Sequence, residues 1–212
     1  MNEYGYPNED AIDRMRRQPK HWANLCMIGI NILVFAAVEL TGSSMDTDHM
    51  LRWGASWFPY IQEGEIYRLL SCMFLHFGLN HLGNNMLLLL FLGDALESLV
   101  GKGRYLLVYL GGGVLGNICS CLYEWHSADF YVSAGASGGV FAVMGAMAAI
   151  LLKEKGQMGE LTLRRLGLIS LLSIYHGFTA SGVDSYAHLG GFVSGFLLGV
   201  LVYRRKRSWD YE

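Results

Sequence analysis

Residues 135–152 read GASGGVFAVMGAMAAILL, a glycine-rich turn followed by an apolar run. No charged side chain interrupts the run from Ser137 to Leu152. A helix of that length covers roughly 24 Å at ~1.5 Å per residue, which is less than the ~30 Å hydrocarbon core of a bilayer. Its first residue, Ser137, is therefore expected to lie in a recess below the outer membrane surface.

Apolar runs of similar length occur on both sides of this one. Hydrophobic residues make up 52% of the 212 residues and charged residues only 16%, whereas soluble domains are about a quarter charged. The composition and the run lengths predict an all-α polytopic membrane protein. The six predicted transmembrane spans are residues 22–40, 81–100, 105–123, 137–152, 166–180 and 186–203.

The lysines and arginines give an independent check on this count. If the N-terminus is cytoplasmic, all of the 16 Lys and Arg residues except Arg52 and Arg68 fall on the cytoplasmic side of the predicted spans. The positive-inside rule therefore favours six spans with both termini in the cytoplasm. Residues 1–20 are interpreted as a cytoplasmic segment, 21–204 as the membrane domain and 205–212 as a cytoplasmic tail.

The predicted first loop, about residues 41–79, is dense in aromatic side chains. Aromatic rings of this density favour the interface between membrane and water. The loop is expected to be a folded element that lies partly in the outer leaflet, and a simple aromatic anchor would explain the same composition. The aromatic residues are Trp53, Trp57, Phe58, Tyr60, Tyr67, Phe74 and Phe77.

Polar groups inside membrane spans are costly and mark functional sites by default. The first such group is Ser137, where Gly135 and Gly138 would let a substrate backbone come close. A helix N-terminus presents free backbone N–H groups and a positive dipole end, and both favour a developing oxyanion. The simpler alternative is a serine that caps or packs the helix.

The second group is His188 in the last predicted span. His188, Gly191, Gly195 and Gly199 recur at helical spacing along one stripe. A stripe of small residues also follows Ser137, so the two helices are expected to pack closely and bring the hydroxyl within reach of the imidazole. A histidine can take the serine proton and return it to a leaving amine. Alone, such a histidine is more simply one bonded to a neighbouring helix.

The third group lies where the second predicted span begins. His81 and Asn85 are four residues apart and therefore face one side of a helix. Their N–H donors could supplement a backbone N–H in holding an oxyanion, and the spacing does not choose between Asn84 and Asn85. A metal site is disfavoured because no carboxylate or thiolate completes the set.

The remaining reactive residues predict no cofactor and no metal. Cys26, Cys72, Cys119 and Cys121 lack CxxC spacing and are expected to be free, buried thiols. Asp184, in a predicted loop four residues before His188, could contact that histidine, and a Ser–His dyad without a third carboxylate is the simpler interpretation. Nothing in the composition indicates a nucleic-acid partner.

Three motifs in this order resemble those of the rhomboid family of intramembrane serine proteases. They are HFGLNHLGNN at residues 76–85, GASG at 135–138 and AHLGG at 187–191. The resemblance covers nearly the whole chain, from Trp22 to Tyr203. It implies a Ser137–His188 dyad, and an oxyanion hole formed by His81, Asn85 and the Ser137 backbone N–H.

The resemblance also implies supporting roles. His76 matches a structural position near the active-site loops, and Glu97 resembles the residue that ties the second helix to the first loop. Arg68 follows Tyr67 where the family often has tryptophan. Phe141 stands where a tyrosine commonly stacks on the base, and it keeps the stacking face.

The implied activity is cleavage of transmembrane segments of other membrane proteins, within the lipid bilayer and near its outer face. The expected location is a bacterial plasma membrane. The fifth predicted span, 166–180, is the least apolar and is interpreted as part of a lateral gate for the substrate. The alternatives are a rhomboid-like binding or chaperone protein without catalysis, and a transporter that uses its buried histidines as a proton path.

Overall fold

The computed structural model of the protein describes residues 22–158, 161–179 and 184–203. The predicted terminal segments 1–20 and 205–212 lie outside these residues. The described helices are α1 (Trp22–Thr41), α2 (Thr47–Trp53), α3 (Phe58–Gln62), α4 (Arg68–Ser71), α5 (Gly78–Val100), α6 (Lys102–Ser127), α7 (Ser137–Lys153), α8 (Leu163–Thr179) and α9 (Ser185–Val202). Two-residue strands β1 (Gln157–Met158) and β2 (Leu161–Thr162) pair antiparallel between α7 and α8.

The predicted all-α class is confirmed, and each predicted span coincides with a helix to within a few residues. Four helices, α1, α5, α6 and α9, are long and apolar enough to cross a membrane, and α7 is a shorter apolar helix. The largest differences in bounds are in α5 and α8, which each begin three residues earlier than predicted, and in α6, which is longer at both ends. Residue 180, the predicted end of the fifth span, lies outside the described part of the chain.

Buried polar side chains attach α1 to α5 and α6. Both α5 and α6 contain a π-helical turn, and such a turn leaves backbone groups outside the regular hydrogen-bond ladder. The carbonyl of Leu89 in the first π turn accepts a hydrogen bond of 2.8 Å from Asn24 Nδ2. Tyr105 in α6 donates to Asn24 Oδ1 at 2.7 Å, so one side chain of α1 links both helices.

Glu97 makes a different contact from the one implied by the resemblance. Its buried carboxylate accepts hydrogen bonds from the backbone N–H groups of Ala23, at 3.2 Å, and Asn24, at 2.7 Å. These N–H groups lie in the first turn of α1, where a helix lacks intrahelical acceptors and attracts negative charge. Glu97 therefore ties α5 to the start of α1 and not to the first loop.

The first loop, residues 42–77, is folded, with α2, α3 and α4 joined by short turns. Arg68 is buried and donates through its terminal nitrogen to the carbonyls of Leu51 and Ala55, each at 2.8 Å. The same guanidinium contacts the Glu65 carboxylate at 2.7 Å. A guanidinium presents several donors in a fixed fork, so one residue holds three segments of the loop together. The loop contains three short helices, and its place in the outer leaflet stays a prediction.

Helices α7 and α9 pack backbone against backbone along a surface that we call the seam. A methyl group added at Gly195 would overlap the backbone of Ala142, and one added at Gly145 would overlap the carbonyl of Phe192. Gly191 approaches the carbonyl of Gly138 in the same way. The predicted close packing of the two small-residue stripes is confirmed, because only small residues allow helices to approach this closely.

The four cysteines are free, as predicted. Cys72 and Cys121 are buried, but Cys26 and Cys119 are exposed, so the predicted burial is wrong for these two. The exposed pair lies on outward faces of α1 and α6, where an apolar run places side chains on every side of the helix and its sequence does not identify the packed face.

Candidate active site

Ser137 is the first residue of α7, and Gly135 shapes the turn before it. Gly135 has φ +153°, a conformation that residues with a side chain rarely adopt. A methyl group there would lie 2.9 Å from Nε2 of His81 and 3.4 Å from the hydroxyl oxygen of Ser137. The glycine therefore keeps open a space that the His81 imidazole and the Ser137 hydroxyl both border.

The segment that leads into Ser137 is fixed by hydrogen bonds to the first loop. Ser133 and Ser56 exchange backbone hydrogen bonds of 2.9 Å. The Gly135 N–H donates to the Cys72 carbonyl at 2.9 Å, and the Ala136 N–H donates to a ring nitrogen of His76 at 3.2 Å. Because these bonds hold the residues just before α7, they set where the helix and its first hydroxyl begin.

His76 lies where the resemblance implies, beside the segment that precedes Ser137. Burial, together with the neighbouring His81 imidazole, lowers the pKa of His76 to about 3. The ring is therefore neutral near pH 7, so its Nε2 can accept the hydrogen bond from Ala136. The two imidazoles meet edge to face, with ring centroids 5.2 Å apart.

His188 lies in the first turn of α9 and is 6% exposed. Its ring stacks on that of Phe141, with centroids 4.3 Å apart and an interplanar angle of 17°. The predicted stacking contact is thus confirmed with phenylalanine in place of tyrosine. The ring nitrogen Nδ1 is buried, and no described residue hydrogen-bonds to it.

Ser137 and His188 line the same cavity, which has a volume of about 20 Å³. Such a volume suffices for about one water molecule. The Ser137 hydroxyl has no hydrogen-bond partner within the described ranges, and no bond joins it directly to His188. Catalytic hydrogen bonds are often long in a ligand-free enzyme and shorten in the substrate complex. His81, Asn117, Ser133 and Asp184 also contribute to the lining.

Asn85 lies close to the cavity but is not among the described residues that line it. The side chain is buried, and its Nδ2 donates to the His81 carbonyl one turn earlier in α5, at 3.1 Å. A side-chain amide carries two N–H groups, so the second remains for another acceptor. The predicted shared face of His81 and Asn85 is confirmed, while only His81 borders the cavity.

The other predicted site residues support the cavity from outside it. Gly138 in the first turn of α7 and Gly191 in the second turn of α9 bring the two helices into backbone contact. Arg68 belongs to the internal bonding of the first loop, and Glu97 bonds to α1.

Asn117 of α6 lines the cavity, and the sequence argument did not single it out. Its Nδ2 donates to the Leu69 carbonyl at 2.8 Å and approaches the Cys72 sulfur at 3.1 Å. The signal was present in the sequence, because an asparagine inside a predicted span is a costly residue that needs a partner.

Asp184 was predicted to lie in a loop, where it could contact His188. It lies outside the helix, as predicted, and caps the N-terminus of α9, accepting from the Ala187 N–H at 2.9 Å. Its carboxylate makes no hydrogen bond to the His188 ring within the described ranges, although it lines the same cavity. An aspartate just before an apolar helix fits the preference for N-cap residues, and that signal could have placed it.

The chain is similar in sequence to known proteins. The family described as the Rhomboid domain matches residues 63–205 of the chain. The chain is 36% identical over 173 residues to the rhomboid protease GluP of Bacillus subtilis (strain 168), covering 80% of this chain and 32% of GluP. It is 32% identical over 178 residues to YdcA of the same organism, covering 82% of this chain and 88% of YdcA.

Similar sequences also occur in a plant. The chain is 41% identical over 159 residues to RHOMBOID-like protein 2 of Arabidopsis thaliana, which corresponds to 73% of this chain and 48% of the plant protein. The chain thus spans about a third of GluP and about half of the plant protein. The similarity includes the residues that line the cavity, since the matched domain extends across α5, α6, α7 and α9.

Proposed function

The chain belongs to the rhomboid family and is an integral membrane protein, and on this premise we propose that it is a serine endopeptidase that cuts transmembrane segments of other membrane proteins. The observation that carries the proposal is the polar cavity shared by Ser137 and His188 in a protein of apolar helices. The similarity to GluP, which is named as a rhomboid protease, supports the same reaction class.

In this proposal Ser137 is the nucleophile and His188 is the general base. The Ser137 hydroxyl has no competing hydrogen bond among the described residues, so it is free to donate to an imidazole. The stack on Phe141 restricts the His188 ring to one plane, and such restriction reduces the entropy lost on reaching the reactive geometry.

The oxyanion hole is built from the groups beside the hydroxyl. The Ser137 N–H lies in the first turn of α7, where it has no intrahelical acceptor. The His81 ring lies next to the Ser137 hydroxyl across Gly135. Asn85 contributes the second N–H of its amide. Removing one donor of this kind costs an enzyme about 10²–10³ in kcat.

The reaction then proceeds in two steps. The Ser137 oxygen attacks the carbonyl carbon of the scissile peptide while His188 accepts the hydroxyl proton. The tetrahedral intermediate collapses, the C–N bond breaks, and His188 gives the proton to the leaving amine. Water, deprotonated by His188, attacks the resulting ester, which releases the new carboxyl end and restores the serine.

The membrane arrangement is part of the proposal. Six spans with both termini in the cytoplasm of a bacterial cell place the start of α7 near the outer face, in agreement with the distribution of basic residues. A substrate helix would enter sideways past α8 and unwind locally. Much of the gate hypothesis rests on residues 172–179. The side chains of these residues lie outside the part of the protein that the structure describes.

Cleavage of a reporter transmembrane segment in proteoliposomes tests the proposal. We expect the wild-type protein to cut the reporter, and Ser137→Ala and His188→Ala to lose that activity. Ser98→Ala serves as the matched control, because within the described part of the chain its hydroxyl bonds only to the Ala95 carbonyl, on an exposed part of α5. Absence of wild-type cleavage would favour a binding or chaperone protein, and solute flux that survives Ser137→Ala would favour a transporter.

A further inference from the structure

One carboxylate joins three elements at the edge of the cavity. Asp184 accepts hydrogen bonds from the Ser120 hydroxyl of α6 at 2.7 Å and from the Tyr131 hydroxyl at 3.3 Å. It also accepts from the Ala187 N–H at 2.9 Å, as the N-cap of α9. Tyr131 belongs to the segment that connects α6 with α7. Asp184 thus bonds to α6, to that segment and to the start of α9.

The same cluster is closed by further contacts. The Ser120 and Tyr131 hydroxyls lie 3.0 Å apart, and the Tyr131 N–H donates to the Glu124 carboxylate at 3.4 Å. Ser120 and Glu124 are both buried. The contacts of Asp184 with Ser120 and Tyr131 are partly buried, so water competes with these hydrogen bonds less than it would on an open surface.

The orientation of His188 depends on the first turn of α9. No described residue hydrogen-bonds to Nδ1 of its ring, so the ring lacks the third partner that orients the base in a Ser–His–Asp triad. The seam fixes α9 from Gly191 onward, through the contact with Gly138. The turn before Gly191 contains His188. Tyr186 in that turn stacks on Tyr123 of α6, with ring centroids 3.5 Å apart. Asp184 adds a hydrogen bond from the beginning of the turn to Ser120 of α6.

We propose that Asp184 is a positioning residue, which holds the first turn of α9 against α6 and thereby sets the place of the His188 imidazole relative to Ser137. The inference rests on the proposed function, because it concerns the base of that reaction. Asp184 acts through the helix backbone, and it neither contacts the ring nor takes part in proton transfer. Its partner for this purpose is the buried hydroxyl of Ser120.

The chain contains a matched control for the capping part of this role. Asp46 is the N-cap of α2 and accepts from the N–H groups of Asp48, at 2.9 Å, and His49, at 3.2 Å. Both hydrogen bonds that the Asp46 side chain accepts come from the first turn of α2, the helix that it caps. Substituting Asp46 therefore removes only a helix cap, whereas substituting Asp184 removes a helix cap and a link between elements.

The experiment compares Asp184→Ala, Asp184→Asn, Ser120→Ala and Asp46→Ala in proteoliposomes. It measures kcat and KM for reporter cleavage, the rate of fluorophosphonate labelling, and the melting temperature. We expect Asp184→Ala to lower kcat and the labelling rate by about 10–100-fold with KM within about twofold, since misplacement of a catalytic group by 1 Å can cost that much. Asp46→Ala should lower the melting temperature comparably and keep kcat within about twofold.

Two variants separate positioning from a merely structural effect. Asp184→Asn keeps an acceptor for the Ala187 N–H, and its amide N–H can donate to the Ser120 hydroxyl oxygen, so it should recover most of the kcat lost in Asp184→Ala. Ser120→Ala should lower kcat in the same direction, and the double variant Asp184→Ala with Ser120→Ala should lose no more than Asp184→Ala alone, because the two residues form one link.

The inference is overturned if Asp184→Ala keeps kcat within the range of Asp46→Ala, or if the losses in the double variant are additive. If Asp184→Ala does not fold, a folded Ser120→Ala with unchanged kcat and KM overturns the inference equally. A wild-type protein that neither cuts the reporter nor reacts with the fluorophosphonate refutes the proposed function itself. These two failures are therefore distinguishable.

Discussion

The seam between α7 and α9 and the first loop both border the cavity, but they are held together in opposite ways. In the seam, Gly145 and Gly195 bring backbone against backbone, with no room for a methyl group. In the first loop, the guanidinium of Arg68 bonds to two carbonyls and a carboxylate. The seam depends on residues without side chains, and the loop depends on a polar side chain. The seam should therefore be sensitive to substitutions that add atoms, and the loop to substitutions that remove them.

The largest expected effect comes from adding one carbon atom to the seam. Gly195→Ala would push α9 away from Ala142, and overpacking of this kind costs typically about 1–3 kcal/mol, occasionally more. Because the shift also separates Ser137 from His188, we expect reporter cleavage to fall by about 100-fold. Thermal unfolding and cleavage assays in detergent would measure both effects.

The control for this substitution is Gly29→Ala in α1. A methyl group at Gly29 meets no atom within 4 Å, and alanine favours a helix over glycine by up to about 1 kcal/mol. The control should therefore be neutral or stabilising. If Gly195→Ala and Gly29→Ala lost equal stability and cleavage activity, the seam would be no more sensitive to added volume than an open helix face. That result would contradict the proposed difference between the two regions.

The next effect comes from removing polar atoms from the first loop. Arg68→Ala leaves the carbonyls of Leu51 and Ala55 without their donor, and a buried unsatisfied group costs about 1–3 kcal/mol. We expect a loss of about 2–3 kcal/mol in the free energy of unfolding. The kcat of the folded fraction should change far less than in Gly195→Ala, since the seam holds Ser137 and His188.

Arg52→Ala is the matched control, because Arg52 is an exposed residue of the same loop. Its effect on the free energy of unfolding should stay within about 0.5 kcal/mol. A kcat in Arg68→Ala as low as that of Gly195→Ala would mean that the loop, and not only the seam, sets the distance between the two catalytic groups.

His76 of the first loop accepts a hydrogen bond from Ala136, just before α7, and so connects the two regions. Its titration makes the stability of this connection depend on pH. Its pKa is about 3 in the folded protein, below the ~6.5 of an unfolded histidine. Protonation therefore favours the unfolded chain, and stability is lost as the pH falls from about 6.5 toward 3, by at most about 2 kcal/mol at pH 5. His76→Gln, which keeps an acceptor for Ala136, should reduce this loss relative to wild type when the melting temperature is measured at pH 5 and pH 7.5.

An equally steep fall in both proteins between these pH values would contradict the assignment of this dependence to His76. The comparison at two pH values within each protein removes any constant difference in stability that the substitution itself introduces.

The smallest expected effect comes from removing the side-chain contact between Phe141 and His188. Phe141→Leu removes the aromatic stack on His188, which is worth about 0.5–1.5 kcal/mol. If the stack orients the base, kcat should fall by about 2–10-fold, while Phe141→Tyr should stay near wild type. Equal kcat values in the leucine and tyrosine variants would show that the ring is oriented by the backbone alone.

The long helices were predictable because each corresponds to an apolar run in the chain. The helices of the first loop were not, because α2, α3 and α4 are held by contacts of Arg68 with carbonyls 13 and 17 residues away. Hydropathy gives no information on such pairings. The aromatic content of the loop indicated an ordered element without specifying its helices.

Long-range contacts were also the part of the candidate active site that the sequence could not predict. Ser137, His81 and His188 were identified by motif order, and Phe141 by its spacing from Ser137. The partner that the resemblance implied for Glu97 was wrong, because its carboxylate bonds to the start of α1. The link from Asp184 to Ser120 crosses 64 residues of sequence, so it becomes visible only when α6 and α9 are placed together.

The most direct test of the central claim is labelling with a fluorophosphonate, followed by mapping of the adduct by mass spectrometry. The account predicts one adduct, on Ser137, that is lost in His188→Ala and retained in His126→Ala, a variant of an exposed histidine at the end of α6. An adduct on another serine, or labelling of Ser137 at an unchanged rate in His188→Ala, would contradict it.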